Sequence, residues 1–146
     1  MSEPTKTTTS EPTTISVALL LLRVAAASMM MVHGWSKASG WSEMSVDFPD
    51  PLGVGHATSL ALAIFGELVC AAALIPGVLT RLAAIPYTFT MIVAGLIVHA
   101  DDPWGRKELA VLYLVCGVVI AVAGPGCFSV DAQLAPKLAW GKYLVS

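Results

Sequence analysis

Four apolar stretches dominate the pattern of hydrophobic and polar positions, over residues 15–32, 57–79, 82–100 and 109–123. An α-helix needs roughly 17–25 residues to cross a hydrocarbon core about 30 Å thick, and the fourth stretch reaches this length when it begins at Lys107. None alternates apolar and polar positions as a strand does, and backbone groups in lipid must pair within their own segment. The pattern therefore predicts an all-α protein, a transmembrane four-helix up-down bundle over residues 15–131.

The two ends of the chain differ from these stretches. Residues 1–14 are mostly Thr, Ser, Pro and Glu, and such a composition cannot bury a core. We expect a disordered N-terminal tail over residues 1–14 and a C-terminal tail over residues 132–146. The N-terminal segment lacks the positive charge of a signal peptide, and Arg23 interrupts the apolar run that follows it. Targeting by the first helix itself is therefore expected.

The composition agrees with a lipid environment. Of the 146 residues, 56% are hydrophobic and 12% are charged, whereas soluble domains carry about 25% charged residues. The mean hydropathy is +0.76. A net charge of −2 offers no basic patch and argues against a nucleic-acid partner. The three cysteines form neither a CxxC pair nor a metal-ligand spacing, so no metal site is predicted.

The connections between the stretches predict how the helices are arranged. Thr80-Arg81 joins the second stretch to the third, residues 101–106 join the third to the fourth, and connections this short place successive helices antiparallel. The longer segment from Gly34 to His56 is rich in aromatic residues and is expected on the membrane surface. Lysine and arginine slightly favour the side that carries both termini. The positive-inside rule then predicts cytoplasmic termini in a bacterial cytoplasmic (inner) membrane.

Two charged residues fall inside apolar stretches. Arg23 lies about eight residues into the first helix and Glu67 about ten residues into the second, so both are expected near the midplane. An isolated charge at this depth costs several kcal/mol and should face the bundle and meet a partner. We therefore predict a buried ion pair between Arg23 and Glu67, which either fixes helix packing or takes part directly in function.

A second group of polar residues is expected at one end of the bundle. His33 ends the first helix, His56 begins the second, His99 ends the third and Glu108 begins the fourth. In an alternating topology these residues lie on one side of the membrane, and Lys37 follows His33 by one helical turn. Helix ends tolerate polar groups without a function, which is the preferred interpretation for His56. For the other four residues a shared site is an equally good interpretation.

These four side chains match the needs of a quinone headgroup. Its carbonyl oxygens need hydrogen-bond donors, which histidine and lysine supply, and its reduction needs protons, which histidine or glutamate can relay near neutral pH. An apolar cleft between helices would hold the isoprenoid tail. The alternative that His33 and His99 ligate haem or a metal has weaker support, because the sequence has no HxxxH or CxxCH motif.

The order of short motifs along the chain resembles the DoxX family of bacterial membrane proteins. The matching elements are Leu22-Arg23, His33-Gly34-Trp35-Ser36-Lys37, Gly66-Glu67-Leu68, Pro76-Gly77-Val78-Leu79-Thr80-Arg81, His99, Lys107-Glu108-Leu109-Ala110 and the segment from Gly124 to Asp131. They cover residues 17–131, and their order and spacing are more specific than any one of them. The family is named after a relative of the membrane subunit of thiosulfate:quinone oxidoreductase. The resemblance implies redox or oxidative-stress functions.

Together, the residues and the resemblance favour an integral membrane subunit of a quinone-linked oxidoreductase or oxidative-stress system, with a polar site at the outer mouth of the bundle. Because the chain has no dinucleotide fingerprint, haem-attachment motif or cysteine pair, it would act with a protein partner in a redox complex. A non-catalytic membrane scaffold or assembly factor is the main alternative. A small proton-coupled transporter using Glu67 is less well supported, because the four helices contain no repeat.

Overall fold

The computed structural model describes residues 13–137, and all of their regular secondary structure is helical. The long helices are α1 (Thr13–Ser39), α3 (His56–Leu74), α4 (Thr80–Val98) and α5 (Trp104–Ala123), and the short ones are α2 (Trp41–Met44) and α6 (Val130–Leu134), which a 3₁₀ turn (Ala135–Lys137) follows. The tails predicted over residues 1–14 and 132–146 lie mostly outside the described residues. Their described parts, residues 13–14 and 132–137, are helical.

Three of the long helices, α1, α3 and α4, are long and apolar enough to cross a membrane. Helix α5 has 20 residues, but Arg106, Lys107 and Glu108 fall in its first two turns. The prediction of an all-helical membrane protein is confirmed for residues 13–137. A fourth crossing by α5 stays a prediction.

The first long helix extends further than the apolar pattern predicted. It continues past Val32 to Ser39, since no glycine–proline turn or polar cluster interrupts it. As a result, His33 and Lys37 belong to one continuous helix and share a face. Helix α4 also begins earlier than expected, at Thr80, so Pro86 lies in its interior and not in its first turn.

Two of the long helices contain π-helical segments. In α3 the segment is Phe65–Cys70, and in α4 it is Val93–Val98 at the end of the helix. The widened turn is seen directly in α4, where the His99 amide donates to the Ala94 carbonyl at 3.0 Å. π-Segments are rare and occur frequently at functional sites. Glu67 lies within the first of these segments, and His99 immediately follows the second.

Small residues let the long helices approach closely. A Cβ added to Gly34 of α1 would lie 2.8 Å from the backbone of Glu67 and Leu68 in α3. On either side of α4, Gly66 of α3 faces Thr90 and Gly117 of α5 faces Tyr87. Glycine interfaces of this kind are typical of helices that associate in lipid, where packing and hydrogen bonds replace the hydrophobic effect. The core that results contains Ala27, Met30, Ala71, Leu74, Ala84, Tyr87 and Ile120.

The segment that follows α5 folds back onto the turn between α3 and α4. The buried carboxylate of Asp131 accepts hydrogen bonds from the amides of Leu79 and Thr80, both at 2.8 Å. These are free amides at the start of α4, and a carboxylate is favourable there. Leu79 has a φ of 47°, a left-handed conformation that costs a leucine about 1 kcal/mol or more. Asp131 therefore holds this turn in an otherwise unfavourable shape.

Arg23 is part of the same contact. Its side chain is buried, and its guanidinium donates to the carbonyls of Pro125 and, at 2.8 Å, Phe128. These carbonyls belong to the segment between α5 and α6, where Gly124 and Gly126 have positive φ. The arginine therefore links the first half of α1 to the last described part of the chain.

The predicted Arg23–Glu67 ion pair is not formed, although both side chains are buried. Glu67 lies opposite Gly34 of α1, whereas Arg23 lies against Gly77 at the far end of α3. The 11 positions from Arg23 to Gly34 correspond to about 16 Å along a helix. Arg23 and Glu67 therefore lie at different levels along the helices, whereas the sequence placed both near the midplane.

Candidate functional site

The partner of Glu67 is Lys37. The ammonium of Lys37, in the last turn of α1, lies 2.6 Å from Oε2 of Glu67 in the π-segment of α3. The lysine side chain is 23% exposed and the glutamate side chain 5%. A nearly buried carboxylate needs such a charge partner, because desolvation in an apolar interior is costly.

A cavity of about 180 Å³ lies next to this pair, and we call it the polar cavity. It is formed between α1, α4 and α5 on the side of the membrane where α1 ends. Its lining residues are Met30, His33, Lys37, Glu67, Met91, Ala94, His99, Arg106, Leu109, Ala110 and Tyr113. The cavity thus combines donors from α1, from α5 and from His99, the residue after α4, with apolar side chains.

The polar cavity brings together three of the four residues that were predicted to share a site, namely His33, Lys37 and His99. Glu108 is exposed and does not line it. Arg106 lines it instead, because residues two positions apart in an α-helix point to nearly opposite faces. His56 lies away from it, with its ring bonded to the Phe48 carbonyl, in keeping with the structural interpretation.

His33 packs against an aromatic side chain in the polar cavity. Its ring meets Tyr113 of α5 edge to face, with the ring centroids 6.0 Å apart and an angle of 73° between the planes. This geometry is a favourable one for aromatic pairs. It fixes the imidazole of His33 between α1 and α5.

His99 is held by a carboxylate outside the polar cavity. Its Nδ1 lies 2.8 Å from Oδ2 of Asp102, and the same oxygen is 3.8 Å from the guanidinium of Arg106. The hydrogen bond from His99 has the largest effect on the pKa of Asp102 and lowers it, desolvation opposes this, and the charge of Arg106 acts in the same direction as the hydrogen bond. Asp102 is therefore an ionised acceptor at neutral pH.

A larger cavity of about 380 Å³ lies on the other side of the Lys37–Glu67 pair, and we call it the apolar cavity. It runs between α3 and α4 and is lined by Lys37, Phe48, Pro49, Pro51, Leu52, Ser59, Leu62, Ala63, Phe65, Glu67, Pro86, Phe89, Thr90, Val93, Ala94, Val98 and His99. Lys37, Glu67, Ala94 and His99 line both cavities. The two spaces therefore meet at a wall that carries an ion pair and a histidine.

The loop from Ser45 to Gly55 covers one end of the apolar cavity through Phe48 and Leu52. Asp50 fastens this loop to the start of α3, since its carboxylate accepts hydrogen bonds from the Val54 amide at 3.0 Å, the Gly55 amide at 2.7 Å and the Ser59 hydroxyl at 2.7 Å. The bond from Ser59 is the largest of the effects that lower the pKa of Asp50. This loop was expected only to rest on the membrane surface.

Sequence reasoning missed Asp102 and Arg106 as members of the site. A signal for both was present, since the two are spaced four residues apart around Pro103, at the start of a helix. The partnership of Lys37 with Glu67 had no comparable signal, because it depends on where α1 ends. Among residues 13–137, no group of three or more His, Cys, Asp and Glu side chains could hold a metal ion.

The arrangement can bind a molecule that is polar at one end and apolar at the other. Lysine, arginine and histidine side chains offer donors in the polar cavity, while the neighbouring space is almost wholly apolar. Ligand sites commonly combine an apolar pocket with a few converging polar groups. A headgroup with oxygen atoms and an attached hydrocarbon tail fits this description.

Comparison with known proteins places the chain in a family. The family model described as DoxX matches residues 18–100. A protein of Haemophilus influenzae (strain ATCC 51907 / DSM 11121 / KW20 / Rd), which carries the name "Uncharacterized protein", is 30% identical over 139 residues. The match covers 88% of this chain and 92% of the relative. No solved structure matches the chain significantly.

Proposed function

The chain belongs to the DoxX family, and from this premise we propose that it is a membrane subunit of a quinone-linked oxidoreductase or oxidative-stress system. In this role it binds the lipid-soluble carrier and holds its headgroup beside a protein partner that carries out the electron transfer. His33, Lys37, His99 and Arg106 hold the headgroup. Glu67 keeps Lys37 in place.

The observation that supports this proposal is that the two cavities lie next to each other and share Lys37, Glu67 and His99 in their lining. A quinone has two carbonyl oxygens that accept hydrogen bonds and a long apolar tail. The polar cavity supplies donors for the carbonyl oxygens, and the apolar cavity between α3 and α4 has room for the first part of the tail. An apolar space of about 380 Å³ beside a polar site suits a ligand with a hydrocarbon tail better than a wholly polar, water-soluble one.

The proposal includes the placement of the chain in the membrane. All four long helices cross a bacterial cytoplasmic membrane, with the charged first turns of α5 at the interface, where arginine and lysine side chains can reach water. Both termini lie on the cytoplasmic side, and the polar cavity opens near the outer face. The short connections after α3 and α4 support this alternation.

The experiment that tests the proposal measures quinone bound to the purified protein. The full chain is extracted from bacterial membranes in mild detergent, and its lipids are analysed by mass spectrometry. We expect co-purified quinone in the wild-type protein and its loss in the variants His33→Ala and Lys37→Met. The variant Glu108→Gln is the matched control, because Glu108 lies in the first two turns of the same helix as Arg106 but outside the polar cavity.

The proposal is rejected if folded wild-type protein carries no quinone and does not take up an added short-chain quinone such as decylubiquinone. It is also rejected if His33→Ala and Lys37→Met retain as much quinone as Glu108→Gln. Circular dichroism and elution as a single species establish that each variant is folded.

A non-catalytic scaffold or assembly factor is the second candidate, and one observation favours it. The buried side chains of Arg23 and Asp131 bond to backbone groups of the same chain, as residues that stabilise a fold do. A scaffold predicts that Lys37→Met leaves partner binding and cellular function intact. A carrier-binding subunit loses function in that variant while it keeps its partner.

A further inference from the structure

The hydrogen bond between His99 and Asp102 determines which ring nitrogen of His99 carries the proton. An ionised carboxylate can only accept a hydrogen bond, so the proton lies on Nδ1, which is 2.8 Å from Oδ2 of Asp102. The lowered pKa of Asp102 keeps this carboxylate ionised over the neutral range. Neutral histidine in water favours the other tautomer, with its proton on Nε2. Asp102 therefore reverses the ordinary preference of the ring.

From the lining of the two cavities we infer that the other edge of the ring, which carries Nε2, faces them. His99 lines both of them, whereas Asp102 lines neither. Within residues 13–137, Nε2 of His99 has no hydrogen-bond partner. The nitrogen that remains for an occupant thus bears a lone pair and accepts hydrogen bonds as long as the ring is neutral.

The carboxylate of Asp102 is a negative charge in direct contact with the ring, and the polar cavity adds further charges. Lys37, Glu67 and Arg106 line the same polar cavity, as does the second histidine, His33. Lys37 is bonded to Glu67, and among the described residues that line this cavity Arg106 is the only other fixed charge. When His99 is protonated, its positive ring lies between two negative groups, the carboxylate of Asp102 and an anionic oxygen of the occupant.

We propose that Asp102 is a positioning residue that makes His99 a proton acceptor, and that the site therefore recognises the reduced, hydroxyl-bearing form of the carrier, a quinol. This inference rests on the proposed function and names the redox state of its ligand. A quinol hydroxyl donates a hydrogen bond to Nε2, which a quinone carbonyl cannot do. Transfer of the proton breaks the O–H bond, forms an N–H bond on His99 and leaves a quinolate, so charge and atoms balance without an oxidant.

The first test needs no quinone. The protein is labelled with ¹⁵N-histidine in detergent micelles, and the tautomer of each ring is determined from its nitrogen chemical shifts, with the His99 signals assigned from the variant His99→Gln. We expect the Nδ1–H tautomer in the wild type and a shift towards Nε2–H in Asp102→Ala. Asp101→Ala is the matched control, because Asp101 is the adjacent carboxylate and has no described hydrogen bond. Arg106→Ala should also leave the tautomer unchanged.

The inference is overturned if neutral His99 carries its proton on Nε2 in the wild type, or if removal of Asp102 leaves the proton on Nδ1. Unchanged signals of His33 and His56 show that the variant is folded. Should Asp102→Ala fail this check, Asp102→Asn replaces it. The amide has nearly the same shape without the negative charge, and the same shift of tautomer is expected.

The second test measures selectivity between redox states. Binding of decylubiquinol and of decylubiquinone is titrated for the wild type, Asp102→Ala and Asp101→Ala. We expect the wild type and the control to bind the quinol more tightly than the quinone. In Asp102→Ala the ratio of the two affinities should fall about tenfold, which corresponds to the loss of one hydrogen bond. If neither form binds to any variant, the proposed function is rejected while the tautomer result still stands. If both bind and the preference does not change, the inference about Asp102 is rejected and the carrier site stands.

Discussion

Glu67 accepts a hydrogen bond from Lys37 at 2.6 Å across the interface between α1 and α3. The two residues lie 30 positions apart, and the pair forms part of the wall between the polar and the apolar cavity. Its geometry depends on Gly34, since only a residue without a side chain lets α1 approach α3 at this level. The pair is therefore a product of helix packing as much as of charge.

Removal of Lys37 should destabilise the protein more than removal of both charges. In Lys37→Met the carboxylate of Glu67 remains buried without a partner, which costs about 3 kcal/mol. In the double variant Lys37→Met/Glu67→Gln no charge is buried, so most of the stability should return. Thermal unfolding in detergent measures both. Equal loss in the single and the double variant would show that the pair contributes through packing alone.

Arg23 should prove essential for docking the segment after α5. The variant Arg23→Ala leaves the carbonyls of Pro125 and Phe128 without their donor and opens a void, for a loss of about 2–4 kcal/mol. Arg106→Ala is the control, because Arg106 is exposed and its pair with Asp102 is long, so a change within about 0.5 kcal/mol is expected. Unfolding midpoints compare the two. A small effect of Arg23→Ala would contradict the contact.

A methyl group at Gly34 should force α1 away from α3. The added Cβ would lie 2.8 Å from the backbone of Glu67 and Leu68, which cannot move aside as a flexible side chain would. We expect Gly34→Ala to lose about 1–3 kcal/mol of stability. In Gly105→Ala the added methyl group meets open space, so this control should be neutral or slightly stabilising. Thermal unfolding in the same detergent checks both.

The loop over the apolar cavity should detach in acid. The pKa of Asp50 is lowered in the folded state, chiefly by the hydrogen bond from Ser59, so its stabilising effect is present above the unfolded pKa and lost as the pH falls through the folded value. The bonds of Asp50 should thus be complete above about pH 4 and fail below it. Amide exchange of Val54 and Gly55, corrected for intrinsic rates, measures the change.

Two variants complete that experiment. Asp50→Asn should show fast exchange of the Val54 and Gly55 amides at every pH, because the carboxylate that binds them is gone. Asp47→Asn alters an exposed aspartate three positions earlier and should behave like the wild type. Slow exchange in Asp50→Asn would show that something other than this carboxylate holds the loop.

The helices and the location of the polar residues were predictable because lipid imposes simple rules. Long apolar runs must be helical, and alternating helices bring His33 and His99 to the same end. Lys37 was predicted at the same site because it follows His33 by one helical turn. These conclusions require only that each residue is assigned to the correct helix.

The pairing of charges was not predictable, because it depends on helix ends and on helix rotation. Seven more residues at the end of α1 bring Lys37 within reach of Glu67, whereas Arg23 bonds to the segment that follows α5. At the start of α5, Arg106 lines the polar cavity and Glu108 does not, although the two residues are only two positions apart. The π-segments, which place Glu67 and His99, have no reliable signal in a single sequence.

The contact of Asp131 with Leu79 and Thr80 implies an order of events during biosynthesis. A ribosome that has delivered α1, α3 and α4 to the membrane has not yet made the carboxylate that fixes the turn between the last two, nor the carbonyls that receive Arg23. Until then a guanidinium in the first helix stays unmatched and the hairpin stays loose. The nascent chain can form these contacts only after residues 125–131 have emerged.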